Sequence, residues 1–326
     1  MFKAFRTNEN HGRYESGVTT LALEALPEQD VVVRVLYSGI NYKDYLSSRG
    51  NKGVTKKYPH TPGIDAAGVV VSDRTNRFRA GEEVVVMGYD LGMNTDGGFA
   101  EYIAVPAEWV LPKPAMFSLK ETMQIGTSGF TAALGISKML QMGCLPENGP
   151  VVVSGATGGV GVFAVQMLSR LNFEVWAVTG KQDQAPLLME LGAEKVLDRA
   201  EIMAPAEKPL LRPRWAAAFD TVGGDTLVSL LKQCKKSGSV ATCGNVGGLE
   251  LQMTVLPFIL NGINLLGINA ADTPMDEREK VWALLEQVAD PALVAKTGKE
   301  ITLEQVGDAL TQMGEHTHTG RFLICM

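Results

Sequence analysis

The first third of the chain contains short runs of apolar and β-branched residues, each bounded by glycine, proline or aspartate. Runs of this kind are typical of strands joined by tight turns. They are Val31–Tyr37, Gly68–Val71, Glu83–Met87 and Ala100–Val105. Several short strands at this spacing predict a compact domain of the β-barrel type, and they argue against repeated strand–helix–strand units in this part of the chain.

Beyond about Ser118 the pattern changes, and strand-like runs alternate with segments of helical periodicity, such as Phe130–Met142. The alternation predicts a parallel sheet with helices on both faces, and hence an α/β fold class. A last strand-like run, Gly320–Cys325, is predicted to pair back onto the first domain. The other predicted strands are Glu174–Thr179, Lys195–Leu197, Ala216–Asp220, Ser239–Cys243 and Asn264–Gly267, and helices are predicted at Gln184–Leu191 and Leu227–Lys235.

The segment Val151–Gly161 contains three β-branched residues and then a glycine-dense turn, and Val162–Leu171 continues it as a predicted helix. A strand, a tight turn and a helix form the unit that places a dinucleotide pyrophosphate at a helix N-terminus. Ala156, Gly158 and Gly161 fit the Gly/Ala-x-Gly-x-x-Gly spacing. Gly158 is expected to let backbone N–H groups approach phosphate, and Gly161 to let the helix pack closely on its strand. A tight turn needs glycine for steric reasons alone, so the prediction depends on both flanks being correct.

Composition limits the choice of partners and compartment. The 326 residues suffice for one large domain or two ordinary ones, and 45% hydrophobic with 20% charged residues is ordinary for a globular protein. A net charge of −6 offers no broad basic face, so neither nucleic acid nor an anionic membrane is expected as a partner. No signal core or membrane-length apolar run is evident, so a cytoplasmic protein is expected. The four cysteines form no Cys-x-x-Cys pair and are expected to be buried thiols.

The tip of the second predicted strand in the nucleotide-binding unit favours NADP over NAD. In NAD-binding versions of this unit an acidic residue there accepts a hydrogen bond from the ribose 2′-hydroxyl. Here the tip reads Thr179-Gly180-Lys181, which offers a hydroxyl and a cation to a 2′-phosphate. Arg199, just past the next strand, can reach the same phosphate. Asp183 lies close by and leaves NAD open, and a solvated turn with an incidental lysine is the alternative.

Motifs along nearly the whole chain occur in the order of a known family. Two of them, Asn41–Asp44 and Ile125–Ala132, are specific when taken singly. The others are Pro62–Gly68, Gly97–Glu101, Gly155–Gly161, Leu191–Ala193, Phe219–Gly224, Pro257–Leu260 and Gly320–Arg321. With these motifs the chain resembles the zinc-free medium-chain dehydrogenases/reductases of the quinone oxidoreductase group and, more narrowly, their acrylyl-CoA reductase-type branch.

The resemblance implies two domains. One is a GroES-like catalytic domain of the β-barrel type, formed by residues 1–118 and 295–326. The other is a doubly wound Rossmann domain of residues 119–294 that binds NADP, and the active site is expected in the cleft between them. Family members are commonly homodimers joined through the edges of their Rossmann sheets. Asn264–Asn269 is the expected seam, because an apolar edge strand needs a cover.

The resemblance also implies chemistry without a metal. Zinc-dependent relatives have Cys-Gly after the first long strand and Gly-His-Glu in the Pro-Gly loop. This chain has Ser38-Gly39 and Gly63-Ile64-Asp65 at those places. Without thiolate and imidazole ligands these positions cannot assemble a tetrahedral zinc site, so no metal is expected.

A nicotinamide enzyme without a metal can deliver hydride to the activated C=C bond of an enone or enoyl thioester. The main hypothesis is therefore NADPH-dependent reduction of a short enoyl-CoA, namely acryloyl-CoA to propionyl-CoA. The alternatives are an NADPH:quinone reductase and a non-catalytic NADPH-binding protein, since fold alone does not separate them.

Asn41, Tyr42 and Asp44 are the candidate catalytic residues. Tyr42 is expected to donate a proton or to hydrogen-bond to the nicotinamide ribose, and Asp44 to orient Lys43 or Tyr42. The alternative is that Tyr42 is a packed aromatic residue and Asp44 a charge at a helix N-terminus.

The expected cofactor contacts extend over both domains. Thr157–Val160 are expected to face the pyrophosphate, and Arg321 to close the site. The full expected set is Tyr42, Thr127, Ala156, Thr157, Gly158, Gly159, Val160, Thr179, Gly180, Lys181, Arg199, Asn245, Ile259, Ala270 and Arg321.

Two further groups of residues have open interpretations. The basic stretch Arg49–Tyr58, with Lys52, Lys56 and Lys57, either attracts the phosphates of coenzyme A or is a solvated loop. Three of the four histidines lack partners at a spacing that makes a relay and are expected to be loop residues; they are His60, His316 and His318.

Overall fold

A computed structural model describes residues 1–205 and 207–326 of the chain. None of the helices in these residues combines the length and the apolar character needed to cross a bilayer. The strands are β1 (Phe2–Asn10), β2 (Arg13–Leu21), β3 (Val31–Gly39), β4 (Asp65–Asp73), β5 (Glu83–Met87), β6 (Tyr102–Val105), β7 (Val110–Pro112), β8 (Val151–Val153), β9 (Val175–Thr179), β10 (Lys195–Asp198), β11 (Trp215–Asp220), β12 (Cys234–Thr242), β13 (Asn264–Gly267), β14 (Gly298–Thr302) and β15 (Arg321–Cys325). The helices are α1 (Tyr42–Ser48), α2 (Leu119–Gln141), α3 (Gly159–Arg170), α4 (Ala185–Glu190), α5 (Gly224–Lys232), α6 (Leu256–Asn261), α7 (Met275–Val288), α8 (Pro291–Lys296) and α9 (Val306–Gly314).

The chain divides into two compact units. The first consists of Met1–Thr127, Ala271–Glu279 and Pro291–Met326, and the second of Ser128–Ala270 and Lys280–Asp290. Residues 119–127, 271–279 and 291–294, which the sequence assigns to the second domain, thus group with the first unit. The predicted limits of the catalytic and cofactor-binding domains stay a prediction.

The first unit is built on a seven-stranded sheet in the order β14-β15-β3-β4-β5-β7, with β6 also paired to β3. In β3 the β-branched residues Val31, Val33 and Val35 are buried, because alternate side chains of a strand face the same side of the sheet. The C-terminal strand β15 pairs antiparallel with the end of β3, with Leu323 opposite Gly39. This is the pairing predicted for the tail, and it brings the start of β15 beside the end of β3.

The second unit contains a six-stranded parallel sheet in the order β10-β9-β8-β11-β12-β13. Numbered within the unit, this is the order 3-2-1-4-5-6 of a doubly wound dinucleotide-binding fold. All three valines of β8 are fully buried, as expected for a central strand covered on both faces. The strand order reverses between β8 and β11, so the glycine-rich turn after β8 lies at the point where such sheets bind ligands.

Candidate active site

A buried cluster of polar side chains surrounds the Asp65 carboxylate at the start of β4. It accepts hydrogen bonds from Asn41 Nδ2 at 2.9 Å, from Arg321 Nη2 at 3.0 Å and from the Thr127 backbone N–H at 3.0 Å. The side chains of Asp65 and Arg321 are 0% and 1% exposed. A buried charge requires a counterion and donors, and Asp65 has both. The cluster is thus a fixed, fully desolvated arrangement within the first unit.

The Thr127 donor depends on a break inside α2. At Gly126 the backbone takes φ 46° and ψ −158°, outside the helical region. A Cβ atom at this position would collide with the Asp65 carboxylate and the Arg321 guanidinium. Glycine therefore both permits the left-handed conformation and makes room for the ion pair.

The Asp44 carboxylate, a catalytic candidate, is fully buried and bound to backbone groups. Oδ2 accepts from the Asn41 N–H at 2.7 Å, and Oδ1 accepts from the N–H groups of Gly63 and Ile64, each at 3.0 Å. Burial raises the pKa of Asp44 to about 7, although these three donors act in the opposite direction. Asp44 thus joins the first turn of α1 to the loop before β4, and its expected role in orienting Lys43 or Tyr42 stays a prediction.

Tyr42 is the first residue of α1 and its side chain is 36% exposed. Its ring lies against Tyr45, with centroids 5.7 Å apart, and stacks on His316, with centroids 6.2 Å apart. In the described part of the chain its hydroxyl group makes no hydrogen bond. Tyr42 therefore combines a ring held by neighbours with a hydroxyl that can donate to a ligand.

Asn41 and Arg321 differ from Tyr42 because the Asn41 amide and both Nη atoms of Arg321 are engaged inside the cluster, although Arg321 Nε is buried without a partner among the described residues. Asn41 donates to Asp65 and to the Gly39 carbonyl, and its Oδ1 accepts from Arg321 Nη1 at 3.2 Å. Burial lowers the pKa of the Arg321 guanidinium, and the Asp65 charge opposes that shift. The structure places both residues where they position neighbouring groups; their roles as catalytic and cofactor residues stay predictions.

In the second unit the glycine turn has the close packing that its sequence predicts. Gly155 has φ 58°, and a Cβ at Gly161 would overlap the Gly155 carbonyl oxygen. The helix α3 follows with Gly158 at its N-cap and no side-chain cap. The first N–H groups of a helix lack intrahelical partners, so this twelve-residue helix presents backbone donors at the turn. A cradle of this shape fits a dinucleotide pyrophosphate.

At the end of β9, beside the turn, the polar side chains differ in their burial and in the partners they have. The Thr179 hydroxyl is buried, lies 3.1 Å from that of Thr157, and accepts from the Lys181 N–H at 3.0 Å. Arg199 is exposed and packs over Gly180, where a Cβ would lie 2.5 Å from Nε. Among the described residues the Arg199 guanidinium has no hydrogen bond or ion pair. Arg199 is therefore the cation most available to an anionic group at this tip.

The other predicted cofactor contacts are dispersed in the structure. Ala156 is buried and donates its N–H to the Val178 carbonyl at 3.0 Å. Asn245 is exposed after β12, Ile259 is 68% exposed on α6, and Ala270 ends the first segment of the second unit. Their roles as cofactor contacts stay predictions.

Sequence reasoning missed Asp65 as the centre of the polar cluster. A signal was available, because Ile64-Asp65-Ala66-Ala67 places an acid inside an apolar run that a sheet must bury. The Ser38 hydroxyl, at the position of a zinc ligand in relatives, donates to the Asp65 carbonyl at 2.6 Å. Over residues 1–205 and 207–326, no three His, Cys, Asp or Glu side chains form a group that could hold a metal ion.

Comparison with known proteins identifies both parts of the chain. Residues 27–115 match the family model of the alcohol dehydrogenase GroES-like domain, and residues 159–287 match that of the zinc-binding dehydrogenases. YhfP of Bacillus subtilis, which bears the name of a quinone oxidoreductase, is 42% identical over 99% of this chain and 98% of its own. Acrylyl-CoA reductase AcuI of Ruegeria pomeroyi is 41% identical over 84% of this chain and 83% of its own.

Solved structures agree with these matches. The yhdH oxidoreductase of Salmonella enterica, in complex with NADP, has a TM-score of 0.96 at 37% identity and covers 99% of both chains. The yhfP protein with NAD bound has the same TM-score at 41% identity, covering 100% of this chain and 99% of its own. The predicted α/β fold, with a GroES-like and a Rossmann domain, is confirmed. The chain belongs to the medium-chain dehydrogenase/reductase family of oxidoreductases, in the branch of the quinone oxidoreductases and acrylyl-CoA reductases.

Proposed function

We propose that the protein is an NADPH-dependent reductase of the activated C=C bond of a short enoyl-CoA, converting acryloyl-CoA to propionyl-CoA. The observation that carries the proposal is the 41% identity to an acrylyl-CoA reductase over 84% of the chain. The exposed Tyr42, with its unengaged hydroxyl, supports an enzyme over a pure nucleotide binder, because binding a nucleotide requires only the Rossmann unit. A quinone reductase remains the second candidate, favoured by the YhfP relative.

The cofactor assignment rests on the turn and on Arg199. The turn from Gly155 to Gly161 and the N-terminus of α3 would hold the pyrophosphate, and Arg199 would hold the 2′-phosphate of NADP. When bound, NADPH supplies the hydride that reduces the substrate. Relatives carry NADP or NADPH in two solved structures and NAD in a third, and the Arg199 guanidinium at the β9 tip adds a reason for NADP that comes from this chain.

The first unit would act on the charge that develops in the substrate. As hydride adds to the β-carbon of the double bond, negative charge accumulates on the thioester carbonyl oxygen, and a donor placed there lowers the barrier. A proton from water then adds to the α-carbon and completes the reduction. We assign that donor to the Tyr42 hydroxyl, because the amide of Asn41 is already engaged by Asp65 and Arg321. Asp44 and the Asp65–Arg321 pair would keep the start of α1 in place, which preserves the position of Tyr42.

The decisive experiment measures NADPH consumption by the purified protein with acryloyl-CoA, with benzoquinone and without acceptor. Turnover with acryloyl-CoA, and propionyl-CoA as product, is the expected result. Turnover with benzoquinone alone would replace the proposal by the quinone reductase. NADPH binding without turnover of either acceptor would identify a non-catalytic binder.

We further propose that the protein forms a homodimer through β13. This strand pairs with β12 and lies at the edge of the six-stranded sheet, and the preceding helix α6 exposes the apolar Ile259 and Leu260. An open apolar edge favours pairing with a second copy. Sedimentation equilibrium should show a dimer, and Leu265→Pro should shift it towards monomer, because the Leu265 N–H faces the open edge whereas the alternate N–H of Ile268 donates to Thr242 of β12. A monomeric parent protein would contradict this proposal.

A further inference from the structure

His316 is expected from the sequence to be an ordinary loop residue, but its backbone has an uncommon conformation. It follows α9 and Glu315, and it has φ 55°. The position after a helix C-cap is usually filled by glycine or asparagine, and histidine, although it adopts positive φ more often than most side chains, meets more steric strain there than glycine. The chain therefore keeps a histidine where glycine would fit with less strain.

The imidazole of His316 has a definite packing partner. It stacks on the Tyr42 ring with an interplanar angle of 28°, and Tyr45 lies on Tyr42 at 32°. Gly314 allows this approach, since a Cβ there would overlap the Tyr45 ring. The rings of Tyr42, Tyr45 and His316, which we call the aromatic shelf, join the start of α1 to the end of α9.

Among the described residues, the stack on Tyr42 is not accompanied by any polar interaction of the His316 side chain. Over the described ranges it has no hydrogen bond or ion pair, and the side chain is exposed to solvent. A strained residue held in place by its surroundings is a recognised indicator of a functional constraint. In this backbone conformation the His316 ring makes the stack on Tyr42.

We infer that His316 is a positioning residue for Tyr42: its ring restricts the rotation of a partly exposed tyrosine, so that the hydroxyl stays in the orientation needed for catalysis. The inference rests on the proposed role of Tyr42 in the reductase. Offset aromatic pairs are weak interactions, and losing one changes the ratio of the correct rotamer to the others by about two- to tenfold. That loss would lower kcat, while KM for NADPH would stay unchanged.

Replacement by glycine separates positioning from a structural role. His316→Gly relieves the backbone strain and removes the ring, so we expect an unchanged or higher Tm together with a kcat lower by about two- to tenfold. His316→Phe keeps the ring and the strain, and should retain most of kcat without a gain in Tm. The matched control is His11→Gly, because His11 also has a positive φ, 50°, in the exposed turn between β1 and β2. It should leave kcat unchanged.

Two outcomes would overturn the inference: full kcat in His316→Gly, or an equal loss in His316→Phe. Tyr42→Phe, measured alongside, tests the proposed function separately, since full activity there would remove the assigned role of the hydroxyl. The stack is also testable without turnover. The ring-proton NMR shifts of His316 should move when Tyr42 is replaced by leucine, and unmoved shifts would contradict the inference whichever substrate the enzyme uses.

Discussion

At the scale of single residues, Asp44 shows how burial can outweigh hydrogen bonding. Its carboxylate accepts three backbone N–H bonds, yet burial raises its pKa from 3.8 to about 7. The folded chain thus holds this proton more tightly than the unfolded chain. Stability from this group is complete below about pH 3.8 and is lost as the pH rises through about 7.

Replacing Asp44 by asparagine removes the titration and should change how stability depends on pH. We expect the free energy of unfolding of Asp44→Asn, relative to the parent, to rise between about pH 4 and about pH 7, because only the parent loses stability there. Urea titrations across this range measure the difference. A difference that does not vary with pH would show that Asp44 is ionised throughout.

Gln166 is a buried residue whose polar groups lack partners. It is 1% exposed in α3, and neither end of its amide has a hydrogen bond within the described residues. We expect Gln166→Leu to raise the free energy of unfolding by about 1 kcal/mol, because an unsatisfied buried amide is destabilising. Gln233 is the control, since its amide donates to Ile202 and Ser229. Gln233→Leu should lower stability by about 1–3 kcal/mol. Equal changes in the free energy of unfolding for Gln166→Leu and Gln233→Leu, measured by denaturant unfolding, would contradict this prediction.

At the scale of elements, the end of β9 combines a glycine with the arginine that packs over it. A methyl group on Gly180 would displace the Arg199 guanidinium. We expect Gly180→Ala to raise KM for NADPH by about tenfold, the loss of one charged hydrogen bond, and to change KM for NADH little. Gly17→Ala is the control, since nothing lies within 4 Å of the added atom. Equal increases for both cofactors would mean that Arg199 does not contact the 2′-phosphate.

The cations of the basic stretch Arg49–Tyr58 differ in whether they already have an interaction partner. Lys52 pairs with Glu9 at 2.8 Å and lies over the rings of Tyr14 and Tyr58. Lys56 and Lys57 are exposed, and in the described part of the molecule their ammonium groups have no ion pair. Only these two can attract coenzyme A phosphates without losing an existing partner.

Replacing Lys56 and Lys57 by glutamine should raise KM for acryloyl-CoA by about threefold to tenfold at low ionic strength, and by less in high salt. The matched control replaces Lys236 and Lys280, which are also exposed. KM for acryloyl-CoA, obtained from initial rates at several salt concentrations, tests this prediction. An unchanged KM would identify the stretch as a solvated loop.

Helix α2 shows why some element boundaries cannot be derived from apolar periodicity. The sequence predicts a helix over Phe130–Met142, whereas α2 begins at Leu119. The break at Gly126 changes the direction of the chain, so the residues before it do not continue the apolar stripe of those after it. The polar cluster was missed for a related reason, because Asp65 and Arg321 are 256 positions apart and only the fold makes them a pair.

At the scale of the whole molecule, the parallel sheet was predictable because each strand–helix pair follows local rules. The grouping of residues 271–279 with the first unit follows no such local rule, and Arg278 shows why. This arginine lies in α7, is buried over the Tyr89 ring and donates to the carbonyl groups of Ala271 and Thr273. These contacts fasten 271–279 within the first unit, although the surrounding chain belongs to the second.

The wide spacing of the Asp65 partners has a consequence for synthesis on the ribosome. Asp65 emerges early, and its guanidinium counterion follows only when residue 321 is made. Until then the strand carrying Asp65 cannot be buried without leaving an unneutralised charge, which is strongly unfavourable. The nascent first unit should therefore stay open around β4 throughout translation of the second, and a ribosome stalled before residue 321 should hold a chain whose β4 amides exchange freely with deuterium.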